Sequence, residues 1–82
     1  MVRLGKESRQ SPQDVLEKAV AFFGPGGLGL AVQQRSEQSV SFEGSGGYVT
    51  ITASRTEKGD RTEVDIESRE WDYQAQQFLG KI

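Results

Sequence analysis

The chain contains no cysteine and no histidine, only two prolines and a single tryptophan. Without cysteine it has no disulfide, no thiolate nucleophile and no thiolate metal ligand. Without histidine it lacks the commonest general base and the commonest metal ligand. An excess of one charge is missing as well: ten Lys and Arg stand against twelve Asp and Glu, a formal net charge of −2, interspersed along the chain. A predominantly electrostatic nucleic-acid binder carries a basic excess or a basic stripe, and neither is present. The longest purely apolar run, Ala19-Val20-Ala21-Phe22-Phe23, falls far short of the ~20 residues that span a bilayer. The opening Met1-Val2-Arg3-Leu4-Gly5-Lys6 lacks the apolar segment of a secretory signal. The expectation is a soluble cytoplasmic protein with no cofactor, no nucleic-acid partner and no membrane contact.

What is present is strongly patterned. Eighty-two residues make one domain, 1–82, and a chain of this size buries only about 60–65% of the surface its unfolded form exposes. Residues 1–8 alternate weakly, with Val2 and Leu4 to one side and Arg3 and Glu7 to the other, and predict a first strand. Ser11-Pro12-Gln13-Asp14 predicts a helix start: Ser11 caps, Pro12 takes the first position, and Asp14 completes a weakened capping box. Val15, Leu16, Ala19, Val20 and Phe23 share one helical face. Gly24 is expected to end that helix in the left-handed conformation, and Pro25 to stop it.

Four alternating segments follow, each with one apolar and one polar face. Leu28–Gln34 directs Leu28, Leu30 and Val32 inward. Gln38–Glu43 does the same with Val40 and Phe42, Tyr48–Ser54 with Val49, Ile51 and Ala53, and Arg61–Glu67 with Val64 and Ile66. Short polar or glycine-rich connections join them and suit hairpins. A second helix is expected after Ser68, its cap, with Trp71, Ala75, Phe78, Leu79 and Ile82 on one stripe. The predicted fold class is α+β, in the order β-α-β-β-β-β-α: an antiparallel meander with two helices packed on one face.

That order is similar to a single copy of the TATA-binding-protein-like fold, and to its decorated relative, the helix-grip domain. The resemblance is one of element order and covers the whole chain. It implies that the first strand pairs with the last strand of the meander, Met1–Ser8 beside Arg61–Glu67. It also implies an open outer sheet face, and, from the helix-grip side, an apolar-ligand cavity under the helices.

Three places carry candidate chemistry. Gly24-Pro25-Gly26-Gly27-Leu28-Gly29 matches the letters of a dinucleotide fingerprint, but a phosphate loop leaves a strand and opens a helix. Here the glycines leave a helix, whose C-terminal dipole repels phosphate, so the run reads as a corner. Glu63, Asp65 and Glu67 share a strand face, a pattern open to a hard cation or to acid–base work. The alternative is a solvated face paired with Arg3, Arg35 or Arg55. Last, Gln33, Arg35, Ser41, Tyr48, Thr50, Thr52, Glu63 and Asp65 are expected together on the polar face, a candidate partner-contact surface. TATA-binding proteins grip DNA there with basic residues and phenylalanine wedges, whereas this face carries carboxylates and one tyrosine.

Three readings of function result. The first is a non-enzymatic interaction or assembly module, homodimeric. The second is a small apolar-ligand binder of helix-grip type. The third is a carboxylate-based metal or enzyme site.

Overall fold

A computed structural model describes residues 2–82. Its elements run β1 (Val2–Ser8), α1 (Pro12–Phe23), β2 (Ala31–Arg35), β3 (Ser39–Gly44), β4 (Gly47–Arg55), β5 (Thr62–Arg69) and α2 (Asp72–Leu79). The strands form a single antiparallel sheet in the order β1-β5-β4-β3-β2. The first strand lies beside the last, with Arg3 opposite Glu67 and Ser8 opposite Thr62. The fold is therefore the expected α+β meander; Met1, the first residue of the expected strand, lies outside the described residues.

α1 starts as its residues dictate: the Asp14 N–H donates to Ser11 Oγ at 3.1 Å, and Pro12 opens the helix. Its buried stripe of Val15, Leu16, Ala19 and Phe23 packs on β3 and β4, while α2 packs on β1 and β5. The centre of the core is aromatic. The Phe23 ring lies 5.6 Å from both Phe42 and Phe78, and Phe22 bridges Phe23 and Phe78 at 4.9 and 5.8 Å. Full burial of each such ring is worth roughly 1.5–3 kcal/mol. Two buried hydroxyls fasten the corner before α1. Thr62 Oγ1 donates to the Gln10 carbonyl at 2.6 Å, and Ser8 Oγ accepts from the Gln10 N–H at 3.1 Å while donating to the backbone oxygen of Ile82 at 3.0 Å.

Three expectations need correction. Gly24 is extended (φ −73°, ψ −169°), not left-handed, and Gly29 (φ 87°) supplies the left-handed geometry of that loop. The first meander strand begins at Ala31 rather than Leu28, because residues 24–30 fold back on the end of α1. Leu30 alone of its expected inward trio is buried; Leu28 and Val32 are each 41% exposed. Ser68 does not cap α2. β5 runs on to Arg69, so Ser68 is buried between Val2 and Val49, and its hydroxyl finds no partner among the described residues. Trp71 takes the N-cap position instead, after Glu70 turns the chain at φ 70°. Its indole Nε1–H donates to the Gly44 carbonyl at 3.0 Å, tying the start of α2 to the end of β3.

Candidate partner-contact face

With both helices on one side, the other side of the sheet is open, and the register sets its residues in rows. One row reads Arg3, Glu67, Thr50, Ser41, Gln34 across all the strands. The next reads Gly5, Asp65, Thr52, Ser39, and beside it Glu7, Glu63, Ser54. Tyr48 lies between Glu43 and Arg69.

Glu67 organises the first row. Arg3 Nε approaches its Oε1 at 3.3 Å, and the Tyr48 hydroxyl donates to its Oε2 at 2.8 Å. Ser41 and Thr50 hydroxyls meet at 3.2 Å. The Tyr48 phenol is held above its ordinary pKa of 10.0. The main cause is the hydrogen bond to Glu67; desolvation and the carboxylate's charge add to it, and Arg69 and Arg3 oppose it. A shallow open depression lies on the β1 side of this face, between Arg3, Gly5, Thr52, Asp65 and Glu67. The Asp65 carboxylate leans over Gly5: a Cβ there would lie 3.3 Å from Asp65 Oδ1.

Six of the expected face residues are brought together: Ser41, Tyr48, Thr50, Thr52, Glu63 and Asp65. Two are not where strict alternation put them. The β2–β3 register slips between Val32 and Gln34, which makes Gln33 the bulged residue and gives its outer place to Gln34. Past the bulge the phase is inverted. Arg35 falls opposite buried Val40, hence on the helix side, in a shallow groove with Gln13, Leu16 and Glu17. A bulge adds one residue to a strand without changing its composition, so alternation alone gave no signal of it. Arg3, Gly5 and Glu7 join the face through β1; the pattern R-x-G-x-E on an edge strand was the available signal.

The carboxylate reading finds little here. Glu63, Asp65 and Glu67 are two residues apart, a spacing of about 6.6 Å along a strand. Among the described residues no group of three acidic, cysteine or histidine side chains is placed to hold a metal ion. Glu63 and Asp65 are exposed, so neither has the burial that separates a carboxylate pair into acid and base. Of the arginines expected to pair with them, Arg3 bonds Glu67, Arg35 is on the other side, and Arg55, opposite buried Thr62, also points to the helix side. Nor does the apolar-ligand reading gain, since the rings of Phe23, Phe42 and Phe78 occupy the space between sheet and helices.

The glycine run spends its donors internally. The N–H groups of Gly27 and Gly29 donate to the Gly24 carbonyl, that of Leu28 to Phe22, and that of Leu30 to Phe23, all at 2.9 Å. Backbone donors that a phosphate needs are thus committed to carbonyls at the end of α1.

No family model matches the chain, and no curated protein and no solved structure matches it. No helix of the described residues is long and apolar enough to cross a membrane. What the fold and face define is a class: a small α+β domain whose antiparallel sheet is covered by helices on one side and bare on the other.

Proposed function

We propose that this protein is a non-enzymatic interaction module that associates with itself as a homodimer and offers the open side of its sheet for contact. The supporting observation is the face itself: an ordered band of hydroxyls, amides and charges of both signs, with Arg3 and Tyr48 fixed on Glu67. A surface that carries both signs is compatible with its own image across a two-fold axis. Its element order resembles the single-copy TATA-binding-protein-like fold, and its cysteine-free composition suits the cytoplasm. The test is mass in solution by sedimentation equilibrium over a wide concentration range. The expected result is a concentration-dependent rise from 9.0 kDa towards twice that value. A species that stays monomeric at the highest concentration refutes self-association.

A further inference from the structure

The homodimer reading requires only that two copies associate; instead of face-to-face contact through the open side, the geometry points to the free edge of β1 as the seam. We propose that two copies pair edge to edge through β1, antiparallel and centred on Gly5, to make one sheet of two five-stranded halves. The inference rests on the homodimer reading and adds its seam.

The two edges of the sheet differ. β2 is short and broken by the Gln33 bulge, a feature that disrupts further pairing. β1 keeps an unbroken register with β5 from Val2 to Ser8, without bulge or proline. An edge of that kind is a template for another strand.

The sequence of β1 is complementary to itself. Arg3 and Glu7 both point to the open side, each two residues from Gly5. Antiparallel pairing about Gly5 sets Arg3 opposite Glu7 of the second copy, and Glu7 opposite Arg3 of the second copy. The same register sets Leu4 against Lys6 and Val2 against Ser8, on the helix side.

Each chain also carries a charge conflict that this pairing relieves. Glu7 stands directly across from Glu63, a like-charge pair that disfavours the sheet. The sole ion pair among the described residues is Arg3–Glu67, so Glu7 has no cation there. The Arg3 side chain is 82% exposed despite that contact, which leaves its guanidinium open to a second carboxylate. In the dimer it lies between its own Glu67 and Glu7 of the second copy.

The helix side adds apolar surface. Lys6 Nζ donates to the Leu79 carbonyl at 2.7 Å and Ser8 Oγ to the backbone oxygen of Ile82, so the end of α2 is tied to this strand. Leu4, Leu79 and Ile82 are only partly buried in the single copy.

Charge variants test this. Glu7→Arg sets a guanidinium against Arg3 of the second copy at both ends of the seam, and should weaken the dimer at least about tenfold in Kd. Within one chain the same change sets that guanidinium against Glu63, so thermal stability at monomeric concentration should hold or rise. Arg3→Glu likewise sets a new carboxylate against Glu7 of the second copy. Mixed together, the two variants are complementary at both charged pairs of the seam, and native mass spectrometry should show a heterodimer in preference to either homodimer. A wild-type dimer whose Kd is unmoved by Glu7→Arg, or variants that do not pair with each other, overturns the β1 seam while the homodimer reading stands. A wild-type chain that never dimerises overturns both.

Discussion

Ser68 shows how one residue's role changes with the length of its strand. By sequence it sits three residues before Trp71 and has the chemistry of a helix cap. In the fold it faces the core from β5, fully buried, its hydroxyl without a partner among the described residues. A capping serine replaced by alanine loses about 1 kcal/mol. Removing a buried hydroxyl without a partner does the reverse, so Ser68→Ala should raise stability by on the order of 1 kcal/mol. In a domain of this size that is a rise in Tm of about 4–8 °C. The fluorescence of Trp71, the single tryptophan, provides the probe; a fall in Tm would restore the capping role. Ser11 is the instructive contrast. Its cap was legible because Pro12, Asp14 and the apolar stripe all lie within one helix and act locally. Ser68 was not, because the extent of β5 is decided by Val2 and Val49 on neighbouring strands.

At the scale of elements, α1, β3, β4 and β5 were readable because their periodicities are clean and each has one dry face. β2 was only half readable. Its alternation continues from Leu28 to Val32, yet the first part of that run is a loop packed back on a helix end and the last part is bulged. The loop is held by close approach. A Cβ on Gly27 would strike the carbonyl oxygens of Ala21 and Phe22, and would come within 2.7 Å of the Phe22 carbonyl carbon. Gly27→Ala should therefore cost about 1–3 kcal/mol, the range for overpacking against atoms that cannot retreat. Urea denaturation checks this; an unchanged midpoint would mean that the loop is free of the helix. The Ser45–Gly46 turn, by contrast, was legible in kind. Glycines around a hairpin tip signal positive φ, and both central residues have it, at 51° and 80°.

For the whole molecule, the open face couples stability to pH through Tyr48. Its folded-state pKa lies above 10.0, chiefly because the neutral phenol donates to Glu67. The folded chain thus holds that proton more tightly than the unfolded chain does. The contribution is complete below about pH 10 and is lost as pH climbs through the raised value. The stability advantage of wild type over Tyr48→Phe should accordingly shrink above about pH 10, and a difference constant to about pH 11 would contradict it. The face was also the part of the molecule least accessible to sequence reasoning. Six of its expected residues assemble as alternation requires, while Gln33 and Arg35 leave it and Arg3 joins Glu67 from β1, since register decides which strands lie side by side.

Element types, their order and the apolar faces of α1, β3, β4 and β5 follow from the chain read locally, because helix periodicity and strand alternation act over a few residues. Four other facts come from the folded chain alone: Glu7 faces Glu63, Arg3 rather than Arg35 or Arg55 pairs with the carboxylate row, the Gln33 bulge turns Arg35 over, and β1 is left as the unbroken edge. They depend on contacts between residues far apart in the chain, where a shift of one position moves every side chain to the opposite face.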